Sequence, residues 1–218
     1  TATGVVSTLA GSGAAGAVDG TGAAAKFNRP VSVAVDGSGN VYVSDSDNHL
    51  IRKITAAGAV SIFAGSGVAG AADGPGNTAS FNRPFYLTLD SSGNLFVVDT
   101  GNHKIRKITA AGVVSTLAGS GAAGAADGTG TTAGFNTPFG VAVDSGGNNI
   151  YVGDLFNHKI RKITAAGVVS TLAGSGTAGA ADGSGSAASF NSPAGVAVDS
   201  SGNIYVGDVN NNKIRKIV

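Results

Sequence analysis

An all-β fold built from four copies of one unit is predicted by three observations. The string VVSTLAGSG begins at Val5, Val113 and Val168, and AVSIFAGSG occupies the matching place from Ala59. Every acidic residue is Asp, which is typical of turns, and Glu, which is typical of helix surfaces, does not occur. Short runs of Val, Ile and Tyr alternate with Gly, Asp and Asn, as expected for strands bounded by tight turns.

Composition narrows the class of protein further. Of the 218 residues, 42% are hydrophobic and 12% are charged, and the net charge is +1. This balance argues against disorder and gives no general reason to expect nucleic acid or a membrane as partner. The chain has no Cys, so a disulfide scaffold, a Cys-ligated zinc and a thiol nucleophile are excluded. No apolar run approaches the roughly 18 residues of a membrane span, and no signal peptide is expected.

The repeat spacing divides the chain evenly. The alanine of LAG or FAG falls at Ala10, Ala64, Ala118 and Ala173, at intervals of 54, 54 and 55 residues. The repeats are therefore 1–54, 55–108, 109–163 and 164–217. Because they leave only Val218 over, we expect a single domain, 1–218, with no linker. The close similarity of the copies indicates recent duplication or deliberate construction.

Each unit is predicted to contain four short strands. In the first copy these are Val5–Ala10, Val31–Val35, Val41–Ser44 and Leu50–Ile54. The last three are joined by connections of hairpin length, which makes them antiparallel. The connection from the first strand to the second is much longer, is rich in Gly and Ala, and is expected to be a surface loop without a strand. Four strands per unit at a fixed spacing predict the blades of a β-propeller.

The unit also resembles a known family. The string NHLIRK begins at Asn48, NHKIR begins at Asn102 and Asn157, and NNKIR begins at Asn211. Upstream of the first and last of these, PVSVAVDGSGNVYVSD and PAGVAVDSSGNIYVGD look like the inner two strands of that family's blades. The chain therefore resembles NHL-repeat β-propellers over its full length, in four copies.

The strand order suggests how the propeller closes. We predict four blades of four antiparallel strands, closed by the N-terminal strand Val5–Ala10 pairing in the last blade. That blade would contribute the strands Ala194–Asp199, Ile204–Asp208 and Lys213–Val218. The resemblance leads us to expect about six blades. Two alternatives to a closed monomer therefore stay open: two chains share a larger ring, or the sequence is part of a longer protein.

Three motifs that could carry chemistry have simpler explanations. GSGAAG at Gly11–Gly16 matches a dinucleotide fingerprint, but no helix follows it and a similar string recurs in every repeat, which favours a flexible loop. DGSGN at Asp36–Asn40 resembles part of a calcium loop, yet a hairpin turn accounts for it. His49, His103 and His158 would have to converge to bind zinc, and the repeat symmetry holds them apart.

The remaining candidates for metal binding and catalysis are few. Asp45 and Asp47 lie close together in the first repeat only and are the candidate ligands of a cation. Some NHL-like propellers are lyases that place His and acidic residues around a metal in the central channel. The predicted inner strands of this chain carry no His or acidic residue. We therefore predict no enzyme and no cofactor.

Basic residues are concentrated on the predicted third strands, which hold 11 of the 14. They are Arg52, Lys53, Lys104, Arg106, Lys107, Lys159, Arg161, Lys162, Lys213, Arg215 and Lys216. Some NHL proteins bind RNA through a basic face, and a basic belt would neutralise phosphates. These residues are mid-strand and lack stacking aromatics beside them, which favours pairing with nearby Asp. Nucleic acid is therefore not the expected partner.

Differences between the copies indicate where a partner binds. On the face of the long loops, the residues that break the symmetry are Phe85, Tyr86, Phe139, Leu155 and Phe156. Exposed aromatic clusters often mark interaction sites. We therefore predict a non-catalytic scaffold that presents its long-loop face to a protein, peptide or glycan.

Two other readings of the function stay open. The main alternative is a duplicated or engineered propeller with no dedicated ligand, and an NHL-like lyase or RNA-binding propeller comes third. The sequence does not fix a compartment, although an extracellular or bacterial cell-surface location is favoured.

Overall fold

The computed structural model describes residues 3–218 and contains four antiparallel sheets, one for each blade. From its inner to its outer edge, blade 1 has the strands Pro30–Val35, Val41–Asp45, Leu50–Ile54 and Ala59–Ala64. Blade 2 has Pro84–Leu89, Leu95–Asp99, Lys104–Ile108 and Val113–Ala118. Blade 3 has Pro138–Val143, Asn149–Asp154, Lys159–Thr164 and Val168–Ala173. Blade 4 has Pro193–Val198, Ile204–Asp208 and Lys213–Ile217. These are the inner, second, third and outer strands.

Short elements complete the blades. The long loops were expected to hold no strand, but three of them contribute a two-residue strand beyond the outer strand, at Gly20–Thr21, Gly74–Pro75 and Gly128–Thr129. Single 3-10 turns join the second and third strands, at Ser46–Asn48, Thr100–Asn102, Leu155–Asn157 and Val209–Asn211. Others lie in the long loops, at Gly22–Ala24, Gly130–Thr132 and Gly185–Ala187. None of the helices in residues 3–218 has the length and apolar character needed to cross a membrane.

The hydrophobic core lies between neighbouring blades. Each inner strand packs beside the inner strand of the next blade, from blade 1 to blade 4. One cluster joins Ile51 and Ala64 of blade 1 to Leu95 and Val97 of blade 2, and equivalent clusters join blades 2 and 3 and blades 3 and 4. Alternation along the strands supplies one apolar face to each neighbour. The predicted all-β propeller of four blades is confirmed.

The predicted closure by the N-terminal strand is not confirmed. Residues 3–9 form no strand, and blade 4 has three strands rather than four. The loop that follows this segment is anchored as in the other repeats: Gly11 donates a backbone hydrogen bond to Gly22, as Gly119 does to Gly130. The segment differs from the outer strands in having no third strand beside it among the described residues. Across the described residues, the inner strands of blades 1 and 4 do not pack together as neighbouring blades do.

An Asp closes each turn between an inner and a second strand. In blade 1 the side chain of Asn40 donates to Asp36 Oδ2 at 2.8 Å, and the N–H groups of Asn40 and Ser38 donate to Asp36 Oδ1. The hydrogen bond from the Asn40 side chain is the main cause that lowers the pKa of Asp36. In blade 4 the Asn203 side chain likewise lowers the pKa of Asp199. Both carboxylates are therefore stabilised in their charged form.

We expect acid to weaken these turns. Because the folded pKa lies below the ordinary value of 3.8, the stabilisation is complete above that pH and is lost as the pH falls through the folded pKa. The melting temperature of the wild type should therefore fall more between about pH 5 and about pH 2.5 than that of the double variant D36N/D199N. Melting curves across this range test the expectation, and equal slopes for the two proteins would contradict it.

Candidate functional site

One end of the blades brings together the ends of the long loops, the starts of the inner strands and the 3-10 turns. In blade 1 the N–H of Asn28 donates to Asp45 Oδ1 at 2.7 Å, and the N–H of Ser46 donates to the carbonyl of Arg29 at 3.3 Å. These bonds tie the loop to the turn. This end, termed the long-loop end, carries the predicted binding residues.

An arginine from the third strand holds each long loop to its blade. In blade 2, Arg106 is fully buried; its Nη1 lies 2.8 Å from Asp99 Oδ2 and its Nη2 lies 2.6 Å from Asp73 Oδ1. Nη2 also donates to the carbonyl of Ala72 in the loop, and the guanidinium lies 5.2 Å from the ring centre of Phe81. The equivalent residues are Arg52, Arg161 and Arg215.

The Asp that each long loop contributes is charged and forms an ion pair with the buried arginine. Burial raises the pKa of Asp73, but hydrogen bonds from Thr116 and the hydrogen bond and charge of Arg106 outweigh it, so the pKa lies below its ordinary value. Asp127 in blade 3 has its pKa lowered by the same balance, with Thr171 and Arg161 as its partners. Asp73 and Asp127 are therefore charged at neutral pH and bind the arginines rather than a free cation.

The Asn and His of the NHL string also have structural partners. Asn102 Nδ2 donates to Asp99 Oδ2 at 2.8 Å and to the carbonyl of Gly70 at 2.7 Å. His103 has a φ of 53°, and its Nδ1 accepts the N–H of Thr137 in blade 3 at 3.0 Å. His49 and His158 accept the N–H groups of Arg83 and Ser192 in the same way. Each histidine thus links its blade to the next one.

The basic residues of the third strands divide into two groups. The arginines point inward and pair with Asp, as the sequence predicted. Three lysines place their ammonium groups 5.6–5.9 Å from ring centres on the second strand; they are Lys53, Lys107 and Lys216. Since adjacent residues of a strand face opposite sides, each Arg-Lys pair splits between the blade interior and its surface.

The two candidate cation ligands are separated. Asp45 is fully buried, and its oxygens accept hydrogen bonds from a backbone N–H, an Asn side chain and Arg52. Asp47 lies nearer the surface, 3.3 Å from Arg83 Nε and 3.8 Å from Arg29 Nη1. Throughout residues 3–218, no three His, Cys, Asp or Glu side chains are grouped as a metal site would require. Both carboxylates have arginine as their partner.

Three of the five predicted binding residues form one aromatic cluster, defined here as Phe85, Tyr86 and Phe139. The ring centres of Phe85 and Phe139 are 5.1 Å apart, and those of Tyr86 and Phe139 are 5.3 Å apart. All three rings are partly exposed. The aromatic cluster bridges blades 2 and 3 at the long-loop end.

A slip in strand pairing brings these side chains together. The pairing of inner and second strands jumps from Pro84 to Leu87 in blade 2, so the two residues between them leave the regular ladder. Blade 3 has the same slip between Pro138 and Val141. All four blades share this irregularity, but blades 1 and 4 have Val-Ser and Ala-Gly in it. The backbone is thus common to the repeats, and the side chains that fill it are not.

A charged group borders the aromatic cluster. The guanidinium of Arg29 lies 5.2 Å from the ring centre of Phe85 and, with Arg83, flanks Asp47. The sequence did not predict either arginine as part of this site, since they stood out only as basic residues outside the third strands. Asp47 and Arg83 are 36 positions apart, so no local pattern predicts their contact.

The other two predicted residues lie on the 3-10 turn Leu155–Asn157 of blade 3. This turn contacts the inner strand Pro138–Val143. Leu155 is partly buried and Phe156 is exposed. Within the described part of the chain, the Phe156 ring contacts no other aromatic ring. Phe156 therefore extends the surface on blade 3 without joining the aromatic cluster.

Comparisons with known proteins agree with this architecture. The NHL repeat family matches residues 27–54 and 190–217, which run from the end of a long loop through the third strand of blades 1 and 4. NHL repeat-containing protein 2 of Bos taurus is 35% identical over 151 residues, which is 63% of this chain and 21% of that protein. Residues 27–54 and 190–217 are thus NHL repeats, and the chain is similar to NHL repeat-containing proteins. The Arabidopsis thaliana protein SUPPRESSOR OF QUENCHING 1, chloroplastic, is 38% identical over 91 residues, 41% of this chain and 9% of the relative. The part of each relative that matches this chain is thus about a fifth or less of the relative's length.

Solved structures share the propeller. An auxiliary nutrient binding protein from Bacteroides thetaiotaomicron is 22% identical with a TM-score of 0.70, over 86% of this chain and 47% of that one. A protein of the same description from Bacteroides ovatus is 24% identical with a TM-score of 0.69, over 89% and 49%. A streptogramin B lyase is 16% identical with a TM-score of 0.55, over 86% and 53%. At these sequence identities, the similarity between this chain and the three proteins shows a shared fold.

Replacement of the buried third-strand arginine by an apolar residue should strongly destabilise the fold. Arg106→Leu leaves the buried carboxylate of Asp99 without its ionic partner, and we expect a loss of about 3–5 kcal/mol in the free energy of unfolding. Lys107→Leu, one residue along on the other face of the strand, is the matched control and should change stability by about 0.5 kcal/mol or less. Denaturant unfolding measures both. Similar losses for the two variants would show that the buried ion pair does not hold the blade.

The histidine link can be tested by comparing two substitutions. His103→Ala removes the acceptor for the Thr137 N–H and places Ala at a positive φ, so we expect a loss of about 1 kcal/mol in the free energy of unfolding. His103→Asn keeps an acceptor and suits this backbone, and Asn already holds the position in blade 4 as Asn212. Denaturant unfolding should therefore rank the wild type and His103→Asn above His103→Ala. An Asn variant as unstable as the Ala variant would rule out the hydrogen bond as the cause.

Proposed function

We propose that this chain is a non-catalytic binding scaffold that holds a protein, peptide or glycan at its long-loop end. The observation that carries the proposal is the aromatic cluster. It is the place where the copies depart from one another in large side chains, on a backbone that they share. Residues that only build the blade recur in every copy, so the departures are the residues left for a specific partner.

The chemistry of the aromatic cluster suits recognition. Aromatic rings supply a large contact area with few rotatable bonds, and Tyr and Arg are enriched among the residues that dominate binding energy. The partly exposed rings offer apolar faces, while Arg29, Asp47 and Arg83 offer charged groups at their border. Phe156 would extend the contact along blade 3. A partner with both an apolar surface and hydrogen-bonding groups fits this arrangement.

The comparisons support a binding role and leave the partner open. Two of the similar structures are described as nutrient binding proteins, and a third, from a nidogen/laminin complex, is 18% identical with a TM-score of 0.64. The lyase shares the fold, but the inner strands of this chain carry no His or acidic side chain that could act at a central channel. A non-enzymatic role is therefore the one we propose.

Binding can be tested with a glycan array and a displayed random-peptide library, each probed with the whole chain. Any ligand found is then titrated against the triple variant F85A/Y86A/F139A and against Tyr205→Ala. Tyr205 is also an exposed aromatic, but its hydroxyl contacts Asp199 in the turn at the opposite end. We expect the triple variant to bind at least about tenfold more weakly, because a central aromatic anchor contributes about 2 kcal/mol or more. Tyr205→Ala should bind as the wild type does.

The outcome separates the scaffold from a propeller without a ligand. Melting curves of the triple variant serve as the control for folding. We expect it to stay folded, because the three rings that it loses are partly exposed in the wild type. Undiminished binding by the triple variant would remove the aromatic cluster as the site. A chain that binds nothing in either screen, and whose triple variant is merely less stable, would support a duplicated propeller whose aromatics only pack.

A further inference from the structure

Two half-exposed arginines at the edge of the aromatic cluster share one carboxylate. Arg29 Nη1 lies 3.8 Å and Arg83 Nε lies 3.3 Å from Asp47 Oδ1, and the two arginine side chains are 50% and 52% exposed. Within residues 3–218, Asp47 is the only acidic residue at ion-pair distance from either arginine. These three residues, termed the border triad, therefore carry two positive charges and one negative charge.

The buried arginines have the opposite balance of charges. Arg106 contacts two carboxylates, those of Asp73 and Asp99, and its three equivalents each contact two as well. In the border triad two guanidinium groups meet a single carboxylate. Among the described residues, the side chain of Arg83 donates a hydrogen bond through Nε alone, so both of its Nη groups are left for another acceptor. The border triad can therefore take a further carboxylate from a ligand.

The backbone does not explain why arginine occupies these two places. The residue before the proline that starts each inner strand has a positive φ, which is 55° at Arg29 and 52° at Arg83. Such a backbone favours Gly, Asn or Asp. Thr137 and Ser192 hold the same place in blades 3 and 4, so the loop can be built without arginine. The two arginines are thus departures from the repeat, as the residues of the aromatic cluster are.

The charged and aromatic parts of this surface are a short distance apart. The guanidinium of Arg29 lies 5.2 Å from the ring centre of Phe85, and that ring centre lies 5.1 Å from the ring centre of Phe139. In an extended peptide, side chains two residues apart point to the same side and are separated by about 7 Å. The spacing therefore matches an extended peptide whose acidic side chain and apolar side chain are two positions apart.

The tilt of the rings favours an apolar side chain over a sugar ring. Phe139 is tilted by 48° from Phe85 and by 47° from Tyr86, so the three rings form no flat platform. A sugar stacks its C–H groups on the open, electron-rich face of an aromatic ring, and Arg29 lies over the face of Phe85. Tilted rings with centres about 4.5–7 Å apart are the usual arrangement of packed aromatic side chains. A further aromatic side chain can therefore join the aromatic cluster.

We propose that the partner is an acidic peptide that binds with an Asp or Glu side chain on Arg29 and Arg83 and an aromatic or large aliphatic side chain, two positions away, on the aromatic cluster. This inference rests on the proposed function and names the class of its partner. Asp47 competes with the peptide carboxylate, because it occupies a donor of Arg83. The border triad disfavours basic segments, since a basic side chain there meets two guanidinium groups.

A displayed random-peptide library tests the class of peptide. It is probed with the whole wild-type chain, with R29Q/R83Q and with the matched control K107Q/K162Q, which loses two positive charges from third strands. We expect the wild type and the control to enrich peptides with an acidic residue two positions from an apolar one, relative to the unselected library. R29Q/R83Q should lose the acidic enrichment and keep the apolar one. Acidic enrichment by R29Q/R83Q, or none by the wild type, overturns the proposal.

One enriched peptide then measures the charged contact. Fluorescence anisotropy gives the affinity of this peptide, and of a second peptide with Asn or Gln in place of its acidic residue, for the wild type, Arg83→Gln and Asp47→Asn. We expect the neutral peptide and Arg83→Gln each to weaken binding about threefold to tenfold, and the two changes together to weaken it little more than either alone. Asp47→Asn should bind the acidic peptide more tightly, because the competing carboxylate is gone. Weaker binding by Asp47→Asn, or fully additive losses, contradicts the proposal.

The outcomes separate this proposal from the proposed function. Peptides without an acidic residue that still need the aromatic cluster, or a ligand found only on the glycan array, overturn the acidic peptide and leave the scaffold. A chain that binds nothing in either screen removes both. Melting curves of R29Q/R83Q serve as the folding control and should match the wild type, because half-exposed ion pairs contribute little to stability.

Discussion

The buried arginine of the third strand is the contact on which the rest of each blade depends. Arg106 and its three equivalents bind one Asp from the blade and one from the long loop, and they also donate to loop carbonyls. Removal of a guanidinium from water is costly, and these contacts at Nη1 and Nη2 offset part of that cost, while the buried Nε of Arg106 has no hydrogen-bond partner among the described residues. Because of these contacts, a loop rich in Gly and Ala takes one conformation and starts the inner strand at a defined place.

The same contact explains why charge is scarce at the surface. The four arginines and one of the two Asp partners of each are used inside the blades, and the linking histidines serve as acceptors between blades. The repeated residues therefore build a rigid frame and leave little for recognition. Phe85, Tyr86 and Phe139 stand apart because they occupy the pairing slip of the inner strands, where the frame tolerates different side chains.

Stacking between blades builds the hydrophobic core. Each boundary between consecutive blades holds its own cluster of buried side chains, so the core is divided among three boundaries. Burial of apolar area at these boundaries therefore depends on neighbouring blades keeping their relative position.

The sequence by itself determined the number of repeats, the turns and all the main strands except Val5–Ala10, because these follow from local alternation and from the turn chemistry of Asp, Asn and Gly. It also predicted that the basic residues pair with Asp, though not that Arg52 would be buried while Lys53 would not. Only the tertiary structure decided which aromatics touch, that Asp47 meets Arg83, and that Val5–Ala10 does not complete blade 4. The physical reason is that these contacts depend on how one blade stacks on the next, and stacking geometry leaves no local pattern in the chain.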